Sequence, residues 1–156
     1  MSEIRRSMPT REQLRVWRDY VETAEVLRSR LAGRLLAESQ LSSGDYQVLL
    51  ALSEAADQTS RSSELAAHIG WERSRLSHHL GRMEKRDLIS RKSCVDTSHG
   101  VDVSLTDAGA EAFRRGSVPH LRAVRETFID AFTPDELENV DALTTTLRSH
   151  LHLGPR

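Results

Sequence analysis

The chain has 156 residues, 38% of them hydrophobic and 29% charged. That is the size and balance of one folded domain, with too few hydrophobic residues for a membrane protein and too balanced a composition for a disordered chain. A single cysteine, Cys94, excludes an internal disulfide framework and a multi-cysteine zinc site, and makes a reducing compartment, the cytoplasm, the expected location. No apolar run approaches a membrane span. Residues Met1 to Thr10 contain Arg5 and Arg6 but no apolar stretch behind them, so they do not read as a signal peptide. The net charge of −1 hides a segregation. Between Arg61 and Lys92 eight cations meet four anions, a local +4, which leaves 14 cations against 19 anions, or −5, for the rest. A basic centre between acidic flanks suits a face that reads nucleic acid on an otherwise repellent scaffold.

In chain order, Leu14, Trp17, Val21, Ala24, Leu27, Leu31 and Leu35 recur every three or four residues, which predicts a long amphipathic helix over about Thr10 to Glu38. The turn Ser42-Ser43-Gly44 ends it. Ser43 or Asp45 is the expected cap of a second helix running to about Ala56, with Tyr46, Leu49, Leu50 and Leu52 inward. Asp57 to Arg61 reads as a polar connector. Ser62 or Ser63 is then expected to cap a short third helix, Glu64 to Ile69.

Gly70 closes that helix, and after a tight turn at Trp71 and Glu72 another runs to about Arg86 with Leu76, Leu80 and Met83 on one side. Two helices joined by such a turn form a helix-turn-helix. The opposite face carries Ser74, Ser77, His78, Gly81 and Lys85, flanked by Arg75 and Arg82, and holds no carboxylate. Strands are expected at Ile89 to Val95 and Val101 to Leu105 around a turn at Thr97-Ser98-His99-Gly100, making a wing behind the second helix. Thr106 is the expected cap of a helix through Ala108, Ala112 and Phe113. Gly116 and Pro119 should kink or break it before it resumes through Leu121, Val124, Phe128 and Ile129. Thr133-Pro134-Asp135-Glu136 is a strong helix start, and the last helix presents Leu137, Val140, Leu143, Leu147 and Leu151.

Several stretches together resemble the MarR family of winged-helix transcriptional regulators: Leu41 to Leu49 entering the second helix, Glu64 to Trp71 running into Ser74 to Leu80 and then Arg82 to Arg86 across the helix-turn-helix, and Leu105 to Gly109 after the wing. The resemblance covers nearly the whole chain. It implies a mainly α fold with a small β-hairpin wing, a winged helix-turn-helix lobe over residues 44–105, and dimerisation helices over 10–39 and 107–153. It further implies a homodimer that grips successive major grooves of a pseudo-palindromic double-stranded DNA operator, represses nearby genes, and is released by a small, often anionic aromatic effector. Three positions depart from the family pattern. The wing tip carries His99 where an arginine is usual, Asp87 stands where glycine is common after the recognition helix, and Glu72 replaces a Ser or Thr cap.

On this reading Arg75, His78 and Arg82, with Ser74 and Ser77, are the candidates for base edges and nearby phosphates, because arginine pairs bidentately with guanine and serine serves several groups. Arg61, Arg73, Arg91, Lys92 and His99 are candidates for phosphate and minor groove. Arg15, Trp17 and Arg18 are candidates for an effector pocket, since a cation beside an aromatic ring suits a carboxylate-bearing aromatic. No metal site or other cofactor is expected: His78 and His79 point to different faces of one helix, and His150 and His152 lie at a fraying end. Cys94 reads as a small buried hydrophobe. No Gly-rich phosphate loop, paired carboxylates or Cys-His pair supports an enzyme. The competing reading is a dimeric protein-interaction module of the same fold without specific DNA binding.

Overall fold

A computed structural model describes residues 8–93 and 100–154. Among these residues the helices and strands follow one another in the order α1 (Arg11–Ser39), α2 (Ser43–Glu54), β1 (Thr59–Arg61), α3 (Ser62–Ile69), α4 (Arg73–Lys85), β2 (Ile89–Ser93), β3 (Val101–Leu105), α5 (Asp107–Thr127) and α6 (Pro134–His150). The chain divides into two compact units, one comprising Ala32–Leu121 and the other the residues up to Leu31 together with those from Arg122. The boundaries fall inside α1 and α5, not at the ends of those helices.

In the first unit, Leu35, Leu41, Val48, Leu49, Leu52, Leu65, Ala66, Leu76, Leu80, Met83, Leu88, Ile89 and Val103 form one continuous core. Helices α2, α3 and α4 thus each turn an apolar stripe inward, and the sheet closes the open side. The Asp57–Arg61 connector is more ordered than its polar composition suggests. It holds a 3₁₀ turn, Ala56–Gln58, and then β1. Strand β1 pairs antiparallel with β3, Ser60 opposite Val103, and β3 pairs antiparallel with β2, Arg91 opposite Val103, so the sheet order is β1-β3-β2. The wing is therefore three-stranded at its base.

Several local expectations change. Ser42, rather than Ser43 or Asp45, caps α2: its hydroxyl accepts from the Asp45 amide while the Asp45 carboxylate accepts from the Ser42 amide, a full capping box. Val48 takes the buried place expected of Leu50, which is exposed. Helix α3 begins at Ser62 itself, and its cap, Arg61, makes no side-chain capping bond. Helix α5 passes through Pro119 without a break. The carbonyl that loses its partner belongs to exposed Arg115, where water can serve it. The interruption comes later, at Phe128, whose backbone leaves the helical region before a 3₁₀ turn at Ile129–Ala131.

The start of α5 needs a glycine. Thr106 Oγ1 accepts from the Gly109 amide at 2.9 Å and donates to the Asp87 carbonyl at 2.5 Å, which draws the Asp87-Leu88 backbone onto the helix end. Asp87 adopts the left-handed conformation, φ 57°, and ends the turn after α4 where glycine would be unstrained. In the second unit, α6 starts where the sequence predicts, with Pro134 in its first turn, and Thr133 and Glu136 add a capping box. No helix among the described residues is long and apolar enough to cross a membrane.

Candidate nucleic-acid interface

Helix α4 is two-sided. Leu76, His79, Leu80 and Met83 are buried, while Arg73, Ser74, Arg75, Ser77, His78, Arg82 and Lys85 are exposed. The residues expected to read DNA from this helix thus share its open side. Arg61 at the end of β1 and Lys92 on β2 are also exposed. Arg91 differs. Its guanidinium donates from Nε and Nη2 to Glu84 Oε2 at 3.0 and 2.7 Å, and its amide donates to Glu84 Oε1. These contacts hold the Glu84 carboxyl below its usual pKa and neutralise much of the Arg91 charge. His99 and Cys94 lie outside the described residues.

Beneath the exposed face runs a polar cluster that links helices α2 and α4. Asp45 is buried, with Oδ2 2.7 Å from Arg86 Nη1 and Oδ1 3.0 Å from His79 Nε2. Arg86 also donates to the Gln40 carbonyl at 2.8 Å. Burial alone would raise the Asp45 pKa, but contacts from His79, Arg86 and the Ser42 amide outweigh it and hold the carboxyl well below the ordinary range. On its other nitrogen, His79 Nδ1 lies 3.0 Å from Arg82 Nη2. Trp71 meets the His79 ring edge to face at 5.2 Å and carries the Arg75 guanidinium 4.1 Å from its own ring centre. Gly44 makes this packing possible, because a Cβ there would stand 2.8 Å from Trp71 and 2.9 Å from His79.

Of the eight cations between Arg61 and Lys92, Arg86 and Arg91 are spent on internal carboxylates. Arg61, Arg73, Arg75, Arg82, Lys85 and Lys92 pair with no carboxylate among the described residues. Sequence reasoning did not single out Asp45, Trp71, His79 or Arg86 for this surface.

The Asp45 pKa has a consequence for stability. A carboxyl whose folded pKa lies below its unfolded value, 3.8, contributes stability that is fully present above that value and is lost as pH falls from there through the lower folded pKa. Asp45→Asn is expected to lower stability at pH 7 by about 2 kcal/mol, less than for a fully buried pair because Arg86 is partly exposed. The variant is also expected to show a shallower loss of stability than the parent as pH falls below about 4. Urea melts at neutral and acid pH check both.

The family model described as "Bacterial regulatory protein, arsR family" matches residues 46–91, from α2 into β2. Among solved structures, AbsC, a MarR family transcriptional regulator from Streptomyces coelicolor, is 32% identical with a TM-score of 0.85, over 93% of this chain and 97% of AbsC. The chain belongs to the MarR family. A second MarR family regulator from Streptomyces coelicolor, Sco3205, solved in complex with DNA, is also 32% identical, with a TM-score of 0.86 over 95% of this chain and 92% of its own. A mutant MarR from E. coli complexed with operator DNA shares the fold at 19% identity, with a TM-score of 0.77 over 90% and 99% of the two chains. No curated protein sequence matches significantly. Within the MarR family fold, α3 and α4 are the helix-turn-helix, β1, β2 and β3 the wing sheet, and the chain is a winged-helix transcriptional regulator.

The effector candidates all lie on α1 and are exposed. Arg15 is held by Glu12 at 2.5 Å and Asp19 at 2.9 Å. Arg15 and Arg18 border one open depression with Arg11 and Asp19, whereas Trp17 borders another with Val16 and Tyr20. The cations and the indole therefore do not converge on one site within this helix.

Proposed function

We propose that the protein is a sequence-specific repressor that binds a pseudo-palindromic operator as a homodimer, one α4 per major groove. The observation that carries this reading is the exposed face of α4, where Arg73, Arg75, Arg82 and Lys85 pair with no carboxylate among the described residues while the opposite side is locked into the core. Arg75 and Arg82, with Ser74, Ser77 and His78, serve base edges and near phosphates. Arg61, Arg73 and Lys92 serve backbone, and Arg91 contributes less because Glu84 holds it.

Dimerisation is supported by the residues up to Leu31 and from Arg122. Among the described residues there, Ala123 is the one buried hydrophobic, and α6 buries none, while Trp17, Tyr20, Leu143, Leu147 and Leu151 are exposed. Helices this apolar and this poorly buried need a partner surface, and a second copy offers the same one. An anionic aromatic effector would find Arg18, which pairs with no described carboxylate, more available than Arg15, and the cytoplasm is the compartment where such a regulator meets DNA.

Anisotropy titration of the full chain on duplex from its own upstream region, against scrambled duplex of equal length at two salt concentrations, tests the reading. Expected are two chains per specific duplex, tighter binding to the upstream sequence, and a steep loss of affinity with salt as several phosphates release counterions. Equal weak binding to both, with no sequence enriched from a random pool, would move the assignment to a protein-interaction module.

A further inference from the structure

We infer that His79 is a positioning residue for DNA reading: held by Asp45 from below, it presents an unprotonated Nδ1 that fixes the guanidinium of Arg82 on the exposed face of α4. The inference rests on the repressor reading and extends it to a residue that touches no DNA. Its basis is donor and acceptor chemistry. Arginine has donors only, so the atom 3.0 Å from Arg82 Nη2 must accept, and His79 Nδ1 therefore carries no proton. A neutral imidazole keeps its one hydrogen on the other nitrogen, Nε2, which lies 3.0 Å from Asp45 Oδ1. That approach is bent away from good hydrogen-bond geometry, so the pull of the carboxylate on the Nε2 hydrogen is mainly electrostatic.

The charged groups facing the ring are few. Asp45 comes from α2, Arg82 from the same helix one turn on, and Arg86 reaches the far oxygen of the carboxylate. Trp71 packs on the ring, and Gly44 leaves space for it. The carboxylate charge is already matched by Arg86. A proton on Nδ1 would convert the acceptor into a donor aimed at a cation, and Arg82 would lose its anchor. One nitrogen of Arg82 is committed to His79 while the rest of the guanidinium stays on the exposed side, so anchoring narrows the side chain's rotamers before DNA arrives. The consequence is selectivity, because a held arginine discriminates base edges that a loose one meets only as a charge.

Two measurements test this. Two-bond proton–nitrogen correlation spectra of the labelled full chain read the His79 tautomer without any DNA; the Nε2-protonated form is expected, and an Nδ1-protonated neutral ring would overturn the assignment. The second uses a duplex enriched by the wild-type protein from a random pool, with single-base variants of it as competitors. His79→Leu is expected to lose about tenfold in discrimination at the base pair that Arg82→Ala also relaxes. His79→Asn, whose amide oxygen can take the place of Nδ1, is expected to retain it. Unchanged discrimination in folded His79→Leu would overturn the proposal; should that variant not fold, the tautomer of the wild-type chain still decides it. Failure to enrich any sequence would count against the repressor reading, and the tautomer measurement would stand apart from it.

Discussion

Gly109→Ala is expected to destabilise the winged lobe by about 3 kcal/mol or more, a large part of the stability of a typical domain. A Cβ on residue 109 would lie 1.9 Å from the Leu88 carbonyl oxygen and 2.9 Å from its carbon. The obstacle is backbone, so no rotamer change relieves it. Leu88 cannot retreat cheaply: its amide donates to the Met83 carbonyl at 3.0 Å, and its carbonyl receives the Thr106 amide at 3.4 Å. Ile89, the next residue, pairs with Leu105 at the start of the wing. Moving either chain would therefore disturb the end of α4, the wing register and the start of α5 together. Alanine normally favours a helix over glycine by close to 1 kcal/mol, so a net loss isolates the steric term. Thermal or urea unfolding of the two proteins measures it. An unchanged midpoint would mean that the Leu88 segment is free to move away from α5.

Gly109 illustrates how far the sequence carried the reading. It belongs to the Leu105 to Gly109 stretch that marked the family resemblance, yet the reason for glycine lies in Leu88, brought close only by the fold. Elements with a strong internal period were legible for a physical reason: Leu76, Leu80 and Met83 define the buried side of α4 whatever packs against it. Strand β1 was not, because Thr59-Ser60-Arg61 shows no alternation and its order comes from pairing with Ser104 to Asp102 far along the chain. Pro119 marked a break that the helix tolerates, since the orphaned carbonyl falls at an exposed residue. His79 left a signal that was available. Positions 76, 79, 80 and 83 complete the three-four spacing of one helical stripe, so a histidine there was bound to be buried and in need of partners. Those partners, Asp45 and Arg82, could not be paired from sequence alone: Asp45 reads as a helix cap, its carboxylate does complete the capping box at Ser42, and its second role depends on α2 lying beside α4.

Replacing both Arg75 and Arg82 with alanine is expected to weaken specific DNA binding about 100-fold or more while leaving the fold nearly unchanged. The two residues are seven apart and exposed on the same helix. Their separation along the axis is thus roughly 10.5 Å, close to three base steps of about 3.4 Å, so each can address a different base pair. A well-placed arginine at guanine contributes about 1–3 kcal/mol of discrimination, and two acting independently already reach the stated loss near the lower end of that range. The stability terms removed are small by comparison. Arg75 gives up its stacking on Trp71, worth about 0.5–1 kcal/mol at an exposed site, and Arg82 gives up one contact to His79. Base reading and phosphate contact then separate by salt. If the arginines read bases, the double variant keeps most of the parent's salt slope and converges on its affinity for scrambled DNA; if they touch phosphate, the slope falls by about one per residue and all sequences weaken alike. Paired titrations at two salt concentrations, with melting curves for both proteins, distinguish these. Full retention of specific affinity would remove the exposed face of α4 from DNA recognition, and with it the central premise of the repressor assignment.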